Sequence, residues 1–312
     1  MRIKLVTLLL LFTFLFGGSK IANSEDALIE PVDGLKLYEK RFNDGTKYYI
    51  TEINLKKLDM HISLSEIKRN EPNYDTWQDV GSFHGRNPYF IAKGIHDFKL
   101  PSGETPIAIS SGAFGGAWPK TCDHCEGYLT FPARSNGLLV AEGYGDPGGR
   151  DPNRTLIKDD TSKCNVLCYD NYNGVADIYP WYHIKDGQRC SNEFVSFTEE
   201  VVPSTSTGGR TFCGVADRDG NSQNETLLIL TTSYASNEQV TQALRDFDAT
   251  ATIQFDGGGS SQLWVDGTDY VASSRPVWNT FVIGPKSYVP IIKIANFRPP
   301  DMGVISFATL GG

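Results

Sequence analysis

The chain of 312 residues is 40% hydrophobic and 21% charged, with a formal net charge of −8. These values are typical of a globular protein that is long enough to bury a sizeable core. The acidic balance excludes nucleic acid or an anionic membrane as the main partner, because such surfaces are bound through clustered Lys and Arg. A single phosphate held locally by Arg remains compatible with it.

Residues 1–24 have the pattern of a secretory signal peptide. The basic head "MRIK" precedes the apolar run Leu5–Phe16, and small residues at Ala22 and Ser24 suit a cleavage site after Ser24. The alternative is a short membrane anchor, but the run is shorter than the roughly 20 residues that a membrane span needs. We therefore predict a secreted or periplasmic protein without a stable membrane anchor, consisting of a single domain over residues 25–312.

The first regular segments of this domain read as strands. "KYYITEI" (47–53) and "MHISLSE" (60–66) alternate apolar and polar residues, which is typical of half-buried strands. "PIAIS" (106–110) is a short apolar run that leads into the loop "SSGAFGG". Four Asp-Gly pairs mark tight turns and favour antiparallel hairpins. They are Asp44-Gly45, Asp186-Gly187, Asp219-Gly220 and Asp266-Gly267.

Residues 117–173 are irregular and rich in cysteine, and we interpret them as a loop-rich insertion stapled by disulfides. The chain has six cysteines, and an exported chain meets an oxidising compartment, so disulfides are expected although the pairing is left open. The candidates are Cys122, Cys125, Cys164, Cys168, Cys190 and Cys213. "CDHC" could also suggest a metal, but a zinc site needs about four ligands at short spacing. We predict no metal centre there.

One helix is clearly indicated after the strand "TLLILTTS". Ser236 and Gln239 have the spacing of a capping box, and Val240, Leu244 and Phe247 then recur on one face. The strand "ATIQF" follows at once, so the two strands should run parallel if they share a sheet. Taken together, the elements predict an α+β fold with a mixed, largely antiparallel sheet core, a few helices and the loop-rich insertion.

The stretch "IQFDGGGSSQLW" (253–264) is the strongest functional candidate. Asp256 ends a strand and is followed by three glycines, which allow a ligand to approach the main chain and leave amides free for an anion. The alternative is a purely structural role, in which the stretch is a glycine-rich bulge and Asp256 caps a turn. The pattern lacks the final glycine of a G-x-S-x-G nucleophile elbow, and no P-loop, H-E-x-x-H or G-x-G-x-x-G motif occurs.

Two arginines are candidates for binding an anion. Arg210 follows two glycines in "TGGRTFCGV", and Arg275 lies in "SSRPVWN". A guanidinium presents a planar fork of donors that suits phosphate or carboxylate. For either residue, a surface ion pair is the common alternative.

The order of these segments resembles the phosphodiester glycosidase family. "GGRTFCGVADRDGN", "LLILTTS", the capped helix, "IQFDGGGSSQLWVDG" and "SSRPVWNTFVIG" follow one another as in that family, and "IAISSGAF" resembles an upstream strand and loop. The resemblance covers about residues 106–285 and places the core of the domain at about residues 97–285. It implies hydrolysis of a sugar 1-phosphodiester, as in the removal of N-acetylglucosamine from such a bond, with a site at Asp256.

This resemblance gives the site residues their expected roles. Asp256 would act on water or bind sugar hydroxyls, and Arg210, facing it, would be the second catalytic residue and hold the phosphate. The expected substrate-binding residues are Gly257, Gly258, Gly259, Ser260, Ser261, Arg275, Ser110 and Ser111. No cofactor is required, although the Asp-rich loops near Tyr144 and Lys158 have the composition of calcium ligands as well as of ordinary hydrophilic turns.

Two other functions remain open at this point. The first is a hydrolase or lyase that acts on polysaccharide without any phosphate specificity. The second is a non-catalytic carbohydrate-binding protein that keeps the fold. All three readings expect a glycan as the partner, and the sequence leaves the oligomeric state open.

Overall fold

The computed structural model describes residues 27–71, 87–118, 126–141, 163–181, 190–198 and 206–287. Within these ranges the chain forms twenty β-strands and one α-helix. The strands are β1 (Ile29–Val32), β2 (Leu35–Arg41), β3 (Lys47–Asn54), β4 (Leu58–Leu64), β5 (Ile67–Glu71), β6 (Asn87–Ile91), β7 (Ala108–Ser111), β8 (Gly115–Trp118), β9 (Glu126–Leu129), β10 (Ala133–Ser135), β11 (Leu138–Ala141), β12 (Cys164–Asp170), β13 (Val175–Pro180), β14 (Asn192–Phe197), β15 (Gly208–Ala216), β16 (Thr226–Ala235), β17 (Ala251–Phe255), β18 (Leu263–Val265), β19 (Thr268–Val271) and β20 (Asn279–Pro285). The helix is α1 (Asn237–Asp246).

The strands form three sheets. The first has eleven strands in the order β1-β2-β3-β16-β15-β17-β14-β10-β11, with β12 pairing with β14 and β13 with β12. The second follows the order β19-β18-β7-β20-β4, and a third, smaller sheet is β5-β6-β9-β8. All strand pairs among the described residues are antiparallel.

The prediction of an α+β fold is therefore wrong. Strand residues make up 53% of the described chain and helical residues 9%, so the fold is mostly β and resembles a β-sandwich. Part of the error lies in residues 117–173, where the described part forms β9, β10, β11 and β12 rather than loops. Short strands separated by polar turns have little periodicity in sequence, and their pairing comes from distant partners.

The main hydrophobic core lies between the first and the second sheet. Ile253 and Phe255 of β17 point into it from the first sheet, and Val265 and Phe281 enter it from the second. Because side chains alternate along a strand, Gln254 of β17 faces the outer side of the first sheet. The residue that follows Phe255, Asp256, continues this alternation and leaves the core.

Helix α1 covers part of the outer face of the first sheet. Its buried residues Val240 and Leu244 pack with Phe212 of β15 and Leu230 of β16. The predicted capping box is confirmed, since Ser236 accepts a hydrogen bond from the amide of Gln239 and the Gln239 side chain accepts one from the amide of Ser236. The helix therefore begins where the sequence indicated.

Strands β16 and β17, which flank the helix in sequence, share the first sheet and run in the same direction. They do not pair with each other, because β15 lies between them and is antiparallel to both. Three of the predicted Asp-Gly turns join antiparallel neighbours: Asp44-Gly45, Asp219-Gly220 and Asp266-Gly267. The fourth, Asp186-Gly187, lies outside the described residues.

A disulfide joins Cys168 of β12 to Cys190, just before β14. Such a bond favours an extracytoplasmic location, where thiols become oxidised. Cys164 and Cys213 are buried, and the thiol of Cys213 is free. The remaining cysteine candidates, Cys122 and Cys125, lie outside the described residues.

The predicted signal peptide, residues 1–24, also lies outside the described residues, as do the Asp-rich loops near Tyr144 and Lys158. Among the residues that the structure describes, no helix has both the length and the apolar composition that crossing a membrane requires.

Candidate active site

Asp256 lies where the chain passes from the first sheet to the second. It follows β17, and after a short 3-10 turn over Gly258–Ser260 the chain enters β18. The amide of Asp256 donates to the carbonyl of Gly112 at 3.1 Å, so the loop after β7 passes alongside it. This position at the junction of two layers leaves the carboxyl group half-buried on the outer side of the first sheet.

The surroundings of Asp256 raise the pKa of its carboxyl group from 3.8 to about 6. The main cause is loss of hydration on burial, which disfavours the charged form. The hydroxyl of Ser260, the charge of Arg275 and the amide of Gly257 oppose this rise. The Ser260 hydroxyl lies beside the carboxyl group without reaching good hydrogen-bond geometry, whereas the Gly257 amide donates to it at 2.9 Å.

Two of the three glycines after Asp256 have a structural reason to be glycine. A Cβ on Gly257 would lie 2.9 Å from the carbonyl oxygen of Gly209, because the two main chains touch. Gly258 has a φ of +62°, in the left-handed region that favours glycine. At Gly259 an added Cβ would make only an ordinary van der Waals contact, 3.4 Å from the Cδ of Arg275, so packing does not require glycine there. The run was predicted to open the main chain to a ligand, but Gly257 serves the packing of two backbones.

Two backbone amides of the glycine run, those of Gly258 and Gly259, remain available to bind a ligand. The amides of Ser260 and Ser261 donate within the 3-10 turn, to the carbonyls of Gly257 and Gly258. Within the described residues, no hydrogen bond uses the amides of Gly258 and Gly259. Successive free amides in a turn of this kind suit an anionic oxygen.

Asp256 and Arg210 were predicted to face each other, and among the described residues no hydrogen bond or ion pair joins them. Arg210 is only 7% exposed, and its guanidinium donates to the carbonyls of Gly209 at 2.9 Å and Ser206 at 2.7 Å. Burial lowers the pKa of Arg210, and Asp256 is not among the causes. Strand register brings the two residues to the same end of neighbouring strands, since Thr211 pairs with Phe255. The Arg210 guanidinium nevertheless binds main-chain carbonyls, and one of these, that of Gly209, abuts Gly257 of the glycine turn.

Arg275 is the arginine whose charge reaches Asp256. It is exposed, and its loop is fastened to the glycine run by the hydroxyl of Ser273, which donates to the carbonyl of Gly259 at 2.6 Å. The side chain of Gln262 donates to the Arg275 carbonyl at 3.0 Å. Two side chains thus hold the loop in place while the guanidinium remains exposed beside the turn.

The serines predicted to bind substrate are buried. Ser110 and Ser111 are each 1% exposed. The Ser111 hydroxyl donates to the carbonyl of Ser260 and accepts from the amide of Gln262 at 2.8 Å, and the Ser110 hydroxyl lies 3.4 Å from that of Thr231. Ser111 holds the turn against β7 and Ser110 contacts β16, so we leave both out of the binding surface proposed below.

Sequence reasoning missed two residues that shape this turn. The Asn279 side chain accepts from the amide of Ala113 at 2.6 Å and donates to its carbonyl at 3.0 Å. A Cβ on Gly112 would lie 2.1 Å from the Asn279 side-chain oxygen, so only glycine fits. Both residues stood in the segments that carry the family resemblance, but the side chain of Asn279 had no evident partner in the sequence.

The described residues offer no cluster of three metal ligands at Asp256. One cluster elsewhere contains the disulfide cysteines Cys168 and Cys190, which are bonded to each other. The other, Asp217, Asp219 and Glu225, lies at the opposite end of β15, where Lys56 donates to Asp219 at 2.6 Å. What the site offers is a carboxyl group that can exchange a proton near neutral pH, with a guanidinium and free amides beside it.

Comparisons with known proteins give a distant likeness of fold. No family model matches the chain, and no curated protein matches it. The catalytic domain of zebrafish N-acetylglucosamine-1-phosphodiester alpha-N-acetylglucosaminidase (NAGPA), auto-inhibited by its pro-peptide, matches with a TM-score of 0.50 and 10% identity over 83% of this chain and 86% of that one. A hypothetical protein from Synechocystis matches with a TM-score of 0.34 and 13% identity, over 84% of this chain and 64% of that one. The zebrafish domain and this chain are distantly related in fold.

Proposed function

We propose that this protein is an extracytoplasmic glycosidase that hydrolyses a sugar 1-phosphodiester. The observation that carries the proposal is Asp256, whose pKa of about 6 suits proton transfer near neutral pH while the charge of Arg275 reaches it. The distant likeness of fold to the catalytic domain of NAGPA adds weight, because the name of that enzyme describes this reaction. The disulfide Cys168–Cys190 supports the extracytoplasmic part.

In this reaction water attacks the anomeric carbon and the bond from that carbon to the phosphate oxygen breaks. The phosphate monoester leaves as an anion, so it needs little help from a general acid. Asp256, in its ionised form, accepts the proton of the attacking water and passes it to solvent. Positive charge that develops on the sugar is stabilised by the same carboxylate.

Arg275 and the amides of Gly258 and Gly259 bind the departing phosphate. All three donors lie at the 3-10 turn that follows Asp256, so the anion is held next to the base. Arg210 takes a positioning role, since its guanidinium holds the main chain that abuts the turn. The sequence suggested Arg210 as the catalytic residue that holds the phosphate and Arg275 as a substrate-binding residue, so this assignment moves the main phosphate contact to Arg275.

The test is turnover by Asp256→Asn on a panel of sugar 1-phosphodiesters. We expect kcat to fall by about 10²–10⁴-fold, because the base is lost while its shape is kept. Asp266→Asn is the matched control, since Asp266 is exposed in a hairpin turn at φ +46°, which Asn tolerates. Unchanged turnover by Asp256→Asn would remove Asp256 from the mechanism.

A second variant separates phosphodiester from plain glycoside chemistry. Arg275→Gln should reduce kcat/KM for the phosphodiester by about 10²-fold and affect an uncharged glycoside of the same sugar much less. Equal losses on both substrates would favour a hydrolase without phosphate specificity. Glycan binding that survives Asp256→Asn, with no turnover by the wild type, would favour a carbohydrate-binding protein.

A further inference from the structure

Three half-buried aromatic side chains lie together on the outer face of the first sheet. Phe114, Phe197 and Trp181, here named the aromatic strip, pack against a small cluster that includes the buried Phe131. The ring centroids of Phe114 and Phe197 are 5.2 Å apart, and that of Phe131 lies 4.8 Å from Phe197. The strip is outside the main core, and it takes no part in the chemistry proposed above.

Strand register places Phe197 on the same face as Asp256. Phe197 of β14 is the cross-strand partner of Gln254 in β17. Phe255 points into the core between the sheets, so Gln254 and Asp256 project on the other side. Cross-strand partners share a face, so Phe197 and Gln254 lie side by side on the outer face. Asp256, two residues after Gln254, projects from that same face.

Phe114 reaches the same place from the loop after β7. Gly112 in this loop accepts the hydrogen bond from the amide of Asp256. Ala113 turns into the core between the sheets, whereas Phe114 packs with the strip on the outer side. The two phenylalanines thus approach the carboxyl group from separate elements.

The sheet forks at this point. One edge of β14 pairs with β17 at Phe197 and with β10 at Glu193 and Phe194. The chain of β17 therefore turns away at Asp256 just where β10 takes over as the neighbour. Asp256 stands at the fork, with the aromatic strip on one side and the glycine turn with Arg275 on the other.

We propose that the aromatic strip is the subsite for the pyranose ring of the substrate, which packs its apolar face of C–H bonds into the 71° angle between the rings of Phe114 and Phe197. This inference rests on the function proposed above and names the residues that hold its sugar. Ligand sites are commonly apolar and aromatic surfaces with a few polar groups that fix the orientation. Here the anomeric carbon comes to Asp256 and the phosphate to Arg275, at the end of the strip.

The charges of the site fit this occupant better than an apolar peptide or a lipid chain. A sugar 1-phosphodiester has an apolar ring face and one anionic group. Around Asp256, the rings of Phe114 and Phe197 can contact the ring face, and the exposed guanidinium of Arg275 can bind the anion. A purely apolar ligand would leave Arg275 and the Asp256 carboxyl group without partners.

The first experiment measures kcat and KM for Phe114→Leu and Phe197→Leu on the phosphodiester that the wild type cleaves best. Leucine keeps apolar volume but removes the flat ring, so KM should rise about tenfold while kcat changes little. Phe42→Leu is the matched control, because Phe42 stacks on Tyr48 at a distant part of the first sheet. Circular dichroism checks that each variant is folded.

The second experiment does not depend on turnover. Saturation-transfer NMR on the Asp256→Asn protein uses methyl α-D-glucopyranoside and α-D-glucose 1-phosphate as probes, with saturation of the aromatic protons. We expect transfer to the ring protons of the sugar, lost in the double variants that add Phe114→Leu or Phe197→Leu and kept with Phe42→Leu. Leucine variants that are folded and show unchanged KM and unchanged transfer overturn the inference, as does the absence of any transfer.

The two experiments also separate this inference from the proposed function. Turnover that requires Asp256 but ignores both leucine variants refutes the subsite and leaves the hydrolase intact. Sugar binding that requires Phe197 without any turnover by the wild type supports the subsite and refutes the hydrolase.

Discussion

At one end of β15 the charged side chains are well provided with partners, whereas at the other end they are not. In the turn between β15 and β16, Asp217 accepts hydrogen bonds from the amides of Gly220, Asn221 and Ser222. Asp219 accepts from Lys56, and this hydrogen bond is the main cause that lowers the pKa of Asp219. One oxygen of Glu225 is the exception, since it lacks a partner.

Arg218 in the same turn is equally well bound. Its guanidinium donates to Glu52, to Asp248 and to the carbonyl of Phe247 at the end of helix α1. A cation at this end of the helix is favourable because of the helix dipole. The turn therefore uses its charges for stability.

The Asp256 end of β15 shows the opposite pattern. Burial raises the pKa of Asp256 to about 6, so its charge is under-compensated. The Nε of Arg210 and the hydroxyl of Ser261 are buried without hydrogen-bond partners. Buried polar groups are normally paired, and strongly perturbed pKa values such as that of Asp256 cluster at functional sites. The contrast teaches that residue types alone do not mark the site, because both ends carry acids, arginines and glycines.

The largest expected effect on stability comes from Gly209 at the Asp256 end. A Cβ there would lie 2.2 Å from the carbonyl oxygen of Gly258, and main-chain atoms cannot move aside cheaply. Gly209→Ala should lower the free energy of unfolding by about 3 kcal/mol, a large value for overpacking. At the other end, Gly220→Ala should cost about 1 kcal/mol, because Gly220 has a φ of +75° but nothing within 4 Å. Urea denaturation measures both, and equal costs would contradict the close backbone contact.

Asp256→Asn should stabilise the protein at pH 7.5. The pKa in the folded state lies above the unfolded value, so folding favours the protonated form and stability falls as the pH rises from about 4 to about 6. Because the group is half-buried, we expect a gain of about 1–2 kcal/mol above pH 6 and none below pH 4. Asp217→Asn, at the other end, should destabilise, since it replaces an oxygen that accepts main-chain hydrogen bonds. If the two variants changed the free energy of unfolding equally across this pH range, the proposed difference between the two ends of β15 would be wrong.

The two exposed arginines should separate stability from activity. Arg218→Gln should lower the free energy of unfolding by about 1 kcal/mol and leave turnover unchanged, because it loses its contacts to the helix end. Arg275→Gln should change stability by less than about 0.5 kcal/mol, as expected for a surface position, while reducing turnover. Denaturation midpoints measure the change in stability and initial rates the change in turnover, both on the same preparations. A stability loss at Arg275 as large as that at Arg218 would show that both arginines are structural.

Local features of the fold could be predicted from the sequence because their causes are local. The capping box of Ser236 and Gln239 and the hairpin at Asp266-Gly267 depend on residues a few positions apart, and both occur as predicted. The sheet order could not be predicted, because β3 pairs with β16 and β18 with β7 from distant parts of the chain. Helices were over-expected for the same reason, since short strands acquire their pairing only from such partners.

For the site, the sequence predicted the position of Asp256 but not its surroundings. It pointed to Arg210 because two glycines precede it, yet the side-chain direction depends on the carbonyls of Ser206 and Gly209. Arg275 comes beside the turn through the hydroxyl of Ser273, a contact across a loop that spacing does not reveal. The aromatic strip was missed because Phe114 and Phe197 meet only when β7 and β14 are brought together.

The smallest expected effect is that of Ser260→Ala, and it probes the carboxyl group directly. The Ser260 hydroxyl lowers the pKa of Asp256, so its removal should shift the acid limb of the pH–rate profile upward from about 6. Stability should change by less than about 0.5 kcal/mol, because the hydroxyl makes no well-formed hydrogen bond that would be lost. Ser236→Ala, which removes the cap of helix α1, should do the reverse, costing about 1 kcal/mol without moving the profile. A profile that stays fixed in Ser260→Ala would mean that the group titrating near pH 6 is not Asp256.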